Sequence, residues 1–193
     1  MADTHPLRAL WYILVFTGMR RGEAVGLQWD DVLWDAKKLC IRRETVKVKG
    51  RTSIHEYGKT DHSNRTIDCS EWLMGIVADH RELQHYARVQ AGAAWKTTRP
   101  WIFTNDTGNY LRPDSVYHTF KWLLTNAALP STTRIHDLRH GMATFWLSSH
   151  GITPKVVTER HGHASIASPC TSMGMCYPPC KLGILNSTDH RFQ

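Results

Sequence analysis

The chain has 193 residues, of which 41% are hydrophobic and 21% are charged. These proportions are typical of a globular protein and exclude an intrinsically disordered chain. The length suits one domain with its own core, or one domain and a tail. A formal net charge of +7, with the histidines counted as neutral, favours a polyanion such as nucleic acid as the partner.

The longest uncharged apolar run, residues 9–16, is too short to cross a bilayer. No small-residue cleavage site follows it, so we interpret it as a buried helix and expect a cytoplasmic protein with no membrane association. The five cysteines include no C-x-x-C pair. That spacing argues against both a zinc ribbon and a disulfide framework.

In chain order, the first predicted element is an apolar helix over residues 5–17, which Gly18 ends. A second short helix follows over residues 20–27, with Val25 and Leu27 turned inward. Short β-prone runs separated by turn residues come next, at residues 39–41, 45–48, 53–57 and 65–67. They predict a small antiparallel meander of about three strands.

The second half of the chain is predicted to be mainly helical. Ser70 is the expected N-cap of a helix to about Gln90, and Pro113 begins another. A helix opened by His136 and a shorter one from Thr153 to about Arg160 follow. The eight tryptophans are interpreted mostly as core residues. The fold class is therefore a single α+β domain, mainly α, with one small sheet.

The helix opened by His136 carries both an apolar pattern and two candidate site residues. Its predicted apolar stripe consists of Leu138, Met142, Phe145 and Trp146. His136 and Arg139 are three residues apart, so their side chains project from one face. An imidazole beside a guanidinium suits a phosphate, because arginine presents a planar fork of donors to its oxygens. A solvated, charged first turn is the alternative interpretation of this segment alone.

Four polar sites spread over the chain form a recognisable series. They are Arg20 in Thr-Gly-Met-Arg-Arg-Gly-Glu, Lys59 in a Gly-Lys-Thr turn, His136 with Arg139, and His163 in Gly-His-Ala-Ser. In this order they resemble the catalytic domain of the tyrosine recombinases, the phage integrase family. The resemblance runs from about Leu7 to Ala167. It implies that family's helical catalytic domain with a small three-stranded antiparallel sheet.

The resemblance also implies a reaction. In the family a tyrosine attacks a DNA phosphodiester, which forms a 3′-phosphotyrosine and frees a 5′-hydroxyl, with no metal or nucleotide cofactor. Double-stranded DNA would be the partner, together with other recombinase protomers assembled on it. The site must hold negative charge as the phosphorus becomes five-coordinate, so it needs cations placed in advance around the equatorial oxygens.

Each matching residue takes a role from the resemblance. Arg20 and Arg139 would hold the equatorial oxygens and His163 would be a third donor. Lys59 would protonate the departing 5′-oxygen, and His136 would assist proton transfer at the nucleophile or hold the phosphate. Glu23 would orient Arg20 or His136. Taken singly, Arg20 could instead be a solvated helix start and Lys59 an ordinary turn lysine.

The two ends of the chain depart from the family. The sequence starts almost at the catalytic domain, so we expect no N-terminal DNA clamp and weaker DNA binding. The family tyrosine lies nine or ten residues after the Gly-His histidine, a spacing that ends here at residues 171–173. The nearest candidate nucleophile is Tyr177, and Pro178-Pro179 behind it would end any helix that presents it.

These departures predict two regions, a catalytic domain over residues 1–167 and a divergent tail over residues 168–193. Reading the codons of the tail one base out of register permits Thr-Leu-x-x-Tyr-Gly-His-Val-Leu-Pro, which resembles the family's nucleophile segment. We therefore hypothesise a frameshift after Ala167.

The expected function is site-specific DNA recombination or integration, impaired by a displaced nucleophile. The alternative is a catalytically inactive duplex-DNA-binding module or a degraded integrase remnant. A metal-dependent nuclease that uses the histidines is a third possibility, but the sequence lacks the carboxylate cluster such sites use.

Overall fold

The structure is a computed structural model that describes residues 5–48, 50–58, 63–97 and 99–149. Its helices are α1 (Arg8–Thr17), α2 (Arg21–Val25), α3 (Glu71–Ala91), α4 (Pro113–Asn126) and α5 (Ile135–Ser149). Its strands are β1 (Val32–Leu33), β2 (Lys38–Ile41), β3 (Arg43–Val48), β4 (Arg51–Glu56) and β5 (Arg65–Asp68). The predicted α+β class with more helix than sheet is confirmed.

Helix α1 is the apolar helix expected at the start of the chain, and it lies at the centre of the core. Leu10 and Ile13 are fully buried. Gly18 ends the helix in the left-handed conformation, with φ of 65°. Because glycine has no Cβ, it adopts this conformation without the steric cost that other residues meet. The chain can then turn directly into α2.

Strands β2 to β5 form where the sequence predicts them, whereas β1 was not predicted, and the pairing is not that of a simple meander. Strand β2 lies between β1 and β5 in a three-stranded antiparallel sheet, with Leu39 opposite both Val32 and Ile67. Strands β3 and β4 form a separate antiparallel hairpin. Leu39 and Ile67 are fully buried, whereas β4 is mostly exposed. Burial of these apolar side chains accounts for the return of β5 to β2 across the inserted hairpin.

Helices α3 and α4 complete the core, each with one buried face. Ser70 caps α3 as predicted, since its hydroxyl accepts a hydrogen bond from the backbone N–H of Leu73. The interpretation of the tryptophans as core is wrong for Trp72 and Trp122, which are 54% and 55% exposed. The second half of α3 also exposes Tyr86. This stretch turns apolar surface to solvent because no other described element covers it.

Helix α5 is present where predicted, but its buried face is rotated from the predicted stripe. The buried residues are Ile135, Arg139, Ala143 and Trp146, whereas Phe145 is 50% exposed. A guanidinium therefore occupies a position on the inward face that the apolar pattern did not include. The cause is a polar partner in the core, described below.

No helix in the described part of the chain combines the length and the apolar character needed to cross a membrane.

Candidate active site

Arg20 lies at the junction of α1 and α2, where one carboxylate holds it at two points. It is the N-cap residue of α2, with extended backbone angles. Its backbone N–H donates to Oε2 of Glu23 at 2.7 Å, and its Nη1 donates to Oε1 at 2.9 Å. The Arg20 side chain remains 35% exposed. Glu23 thus orients the Arg20 side chain from the protein interior, while its exposed part is accessible to a ligand.

Glu23 is a fully buried carboxylate in the first turn of α2. Burial acts to raise its pKa, but hydrogen bonds and charge from Arg65, and then from Arg20, outweigh burial and leave the pKa lowered. Glu23 is therefore ionised at neutral pH. The predicted contact with Arg20 is present.

Arg65, at the start of β5, is the second partner of Glu23. Its Nη1 and Nη2 donate to Oε1 and Oε2 at 3.0 and 2.9 Å, the two-pronged geometry that suits a carboxylate. Its side chain is only 7% exposed. The sequence reasoning missed Arg65, because an arginine that opens a short strand after a turn carries no motif. The available signal was Glu23 itself, an acidic residue directly before the apolar Ala24 and Val25 in α2.

Arg139 reaches the same region from α5, at the other end of the described chain. It is 3% exposed, and its Nη1 donates to the backbone carbonyl of Gly18 at 2.7 Å. Its pKa is lowered to about 9, by burial first and then by the charge of Arg20, which Glu23 partly opposes. Arg139 therefore stays cationic at pH 7 in a setting where a nearby anion would be strongly favoured.

These contacts unite residues from three distant parts of the sequence. We call Arg20, Glu23, Arg65 and Arg139 the arginine cluster. The charges of Arg20, Glu23 and Arg65 all act on Arg139, so the four groups share one electrostatic environment. Three guanidinium groups and one carboxylate leave an excess of positive charge there.

His136 lies beside the cluster in the first turn of α5. Partial burial lowers its pKa, and the neighbouring charges of His140 and Arg139 lower it further. The rings of His136 and His140 meet edge to face, with centroids 4.4 Å apart. His136 is exposed and neutral at pH 7, so one ring nitrogen can accept a proton while the other donates a hydrogen bond.

Tyr57 approaches the cluster from the residue after β4. Burial raises its pKa, and the charges of Glu23 and Glu44 raise it further, while Arg20 and Arg65 oppose them. Its buried hydroxyl has no hydrogen-bond partner among the described residues. Tyr57 is thus a neutral phenol at the edge of the site.

Three predicted site residues, Lys59, His163 and Tyr177, lie outside the described residues. The described residues that flank Lys59 do lie against the arginine cluster. Tyr57 precedes it, and the carbonyl of Ser63, which follows it, accepts a hydrogen bond from Nη1 of Arg65 at 3.1 Å. Within the described ranges, no group of three or more His, Cys, Asp or Glu side chains could hold a metal ion.

Sequence comparisons with known proteins identify the family to which this chain is related. The model of the phage integrase family matches residues 2–169. A tyrosine recombinase XerC-like protein of Caldanaerobacter subterraneus is 31% identical over 173 residues, which cover 84% of this chain and 44% of that protein. Tyrosine recombinase XerD of Mycobacterium tuberculosis is 28% identical over 165 residues, which cover 83% of this chain and 45% of that protein.

Solved structures share the fold. The Tn1549 transposon integrase in complex with transposon right end DNA matches with a TM-score of 0.73 at 21% identity, over 86% of this chain and 53% of that one. XerA recombinase matches with a TM-score of 0.70 at 20% identity, over 90% of this chain and 54% of that one. This chain spans about half the length of these proteins. It belongs to the phage integrase family.

Proposed function

We propose that this chain carries the phosphate-binding catalytic centre of a tyrosine-type site-specific DNA recombinase. The reaction is strand cleavage and rejoining through a 3′-phosphotyrosine, and in this chain a displaced nucleophile impairs it. The observation that carries the proposal is the convergence of Arg20 and Arg139 beside the buried Glu23. Matches to proteins named as tyrosine recombinases and integrases support it.

The arginine cluster suits the charge that develops during phosphoryl transfer. Arg20 is held by Glu23 and open to solvent, and Arg139 is cationic and lies near enough for the charge of Arg20 to act on it. Such preplaced cations stabilise a five-coordinate phosphorane without reorganising during the step. Neutral His136 would take the proton of the attacking phenol or hold a phosphate oxygen. Lys59 would protonate the leaving 5′-oxygen, and His163 would be a third donor.

The identity of the nucleophile depends on the sequence of the tail. Residues 1–167 form the catalytic domain, and Tyr177 is the candidate nucleophile within a divergent tail of residues 168–193. A frameshift after Ala167 would explain both the tail and the displaced tyrosine. The nucleotide sequence across these codons tests this directly, because the alternative frame must encode Tyr-Gly-His.

The partners follow from the chemistry. Duplex DNA is the substrate, and further protomers would assemble on it, as strand exchange needs two duplexes. No metal or nucleotide cofactor enters the reaction. We place the protein in the cytoplasm, where its DNA substrate would be found.

Trapping of a covalent intermediate tests the proposal. Nicked duplexes allow the 5′-hydroxyl fragment to diffuse away, so a protein–DNA adduct that survives denaturation should accumulate. It should disappear in Tyr177→Phe and fall at least tenfold in Arg139→Lys, which keeps the charge but loses the fork of donors. Tyr117→Phe, at an exposed tyrosine on α4, is the matched control and should leave the yield unchanged.

The outcomes separate the candidate functions. An adduct that persists in Arg139→Lys contradicts the proposed site. Salt-sensitive duplex binding without an adduct indicates the inactive DNA-binding module, which the misplaced nucleophile spacing favours. If the chain does not bind DNA at all, it is a remnant. A chain encoded by the gene with its reading frame restored should form the adduct, if the frameshift is real.

A further inference from the structure

The buried guanidinium of Arg65 contacts the carboxylate of Glu23, which holds Arg20. Arg65 donates to both oxygens of Glu23, and Glu23 in turn binds the backbone N–H and the side chain of Arg20. The order of contact is therefore Arg65, then Glu23, then Arg20. The sequence motifs assigned no role to Arg65.

The ionisation of Glu23 depends on its arginine partners. The carboxylate is fully buried, and a buried charge is stable only where opposite charge and hydrogen bonds replace water. Arg65 supplies two of the hydrogen bonds and lies almost wholly inside the protein. Without the hydrogen bonds from Arg65, burial would favour the protonated form of Glu23. A protonated Glu23 would no longer pair with Arg20 as an anion.

The same guanidinium also contacts the backbone just before β5. Nη1 of Arg65 donates to the carbonyl oxygen of Ser63 at 3.1 Å, only four residues after Lys59. Arg65 is thereby held by the backbone carbonyl of Ser63 as well as by the carboxylate of Glu23.

We propose that Arg65 is a positioning residue that orients Arg20 through Glu23. Both Nη atoms of Arg65 donate to Glu23, and Nη1 also donates to Ser63, so we assign Arg65 no contact with the phosphate. This inference deepens the proposed function, because Arg20 is the residue that would meet the phosphate.

A purely structural role for Arg65 is the competing explanation, and the chain offers a matched control for it. Arg43 on β3 is also a buried arginine joined to two carboxylates, Asp31 and Glu56. Removal of either arginine should lower the stability of the protein. Only the removal of Arg65 should alter the phosphate site.

The test combines variants of Arg65 and Arg20 with orthovanadate, an oxyanion that mimics the equatorial oxygens of phosphoryl transfer. Calorimetric titration of the full chain, below the unfolding temperature of every variant, should give roughly tenfold weaker binding in Arg65→Met. Arg65→Lys should recover part of the loss. Arg20→Ala should weaken binding by at least tenfold, and adding Arg65→Met to Arg20→Ala should cost nothing further.

Three results would overturn the inference. One is normal vanadate binding in Arg65→Met, another is an additive loss in the double variant, and the third is an equal loss in Arg43→Met. If the wild-type chain binds no vanadate and Arg20→Ala changes nothing, the proposed function fails.

Orientation of Arg20 can be measured without any ligand, so the two failures are distinguishable. The side-chain Nε–H resonance of Arg20 in ¹⁵N NMR spectra should shift and broaden in Arg65→Met but not in Arg43→Met. An unchanged Arg20 resonance in Arg65→Met would contradict the positioning role of Arg65, whether or not the protein acts on DNA.

Discussion

At the scale of the residue, Glu23 is the single group on which the arrangement of the cluster depends. Its carboxylate joins Arg20 and Arg65 while excluded from water. Replacing one member of a buried ion pair costs about 3–5 kcal/mol, because the remaining charges stay buried without a counterion. We expect Glu23→Gln to lower the free energy of unfolding by about 3 kcal/mol at pH 7, measured by urea denaturation.

The pH dependence of that loss follows from the lowered pKa of Glu23. The unfolded chain takes up a proton near the ordinary value of 4.5, before the folded chain does, so acid favours unfolding. The contribution of Glu23 is complete above that pH and is lost as the pH falls through the folded pKa. The wild type should thus approach Glu23→Gln in stability at low pH. A constant difference between them from pH 7 to pH 3 would contradict this account.

Removal of the Tyr57 hydroxyl should not destabilise the protein as Glu23→Gln does. This buried hydroxyl makes no hydrogen bond within the described residues. A buried polar group without a partner costs about 1–3 kcal/mol, and its removal relieves that cost. Tyr57→Phe should leave the unfolding free energy unchanged or raise it by about 1 kcal/mol. Tyr110→Phe is the control, since its hydroxyl donates to the carbonyl of Thr52 at 3.3 Å and its loss should destabilise the fold.

At the scale of the element, α2 packs on β3 with no room for a side chain at Gly22. A Cβ added there would lie 2.6 Å from the backbone carbonyl oxygen of Thr45. Because backbone must move to relieve this contact, Gly22→Ala should cost about 1–3 kcal/mol and displace the first turn of α2, which carries Glu23. Thermal unfolding and vanadate binding measure the two effects.

Gly75 provides the control for that substitution. It lies within α3, where an added Cβ meets nothing within 4 Å. Alanine is the better helix former, so Gly75→Ala should raise the unfolding free energy by about 1 kcal/mol. Loss of stability in both variants would show that the contact with Thr45 is not the cause.

The elements also show what sequence patterns can and cannot predict. The β-prone runs located four strands, but local pattern could not show that β5 pairs with β2 across the hairpin. The apolar stripe on α5 misplaced Phe145, because the inward position belongs to Arg139, whose partner is a backbone carbonyl 121 residues away. Motifs singled out Arg20, Glu23, His136 and Arg139 as candidate site residues. Arg65 was missed because its partner becomes visible only in the fold.

At the scale of the whole molecule, the net charge of +7 makes salt dependence the natural measure of DNA binding. Each phosphate that a cation neutralises adds about 0.9 to the slope of log Kd against log salt on duplex DNA. Arg20→Ala should therefore reduce that slope by about 1, measured by fluorescence anisotropy on duplex DNA. Arg43→Met, which removes a buried arginine, should leave the slope unchanged. Equal slopes in the wild type, Arg20→Ala and Arg43→Met would exclude contact between Arg20 and a phosphate.

The left-handed turn at Gly18 gives one residue two structural roles. Gly18 ends α1, and its carbonyl oxygen accepts a hydrogen bond from Arg139 on α5. A substitution that extended α1 through this point would break this hydrogen bond. The end of α1 and the placement of the Arg139 charge therefore depend on the same residue.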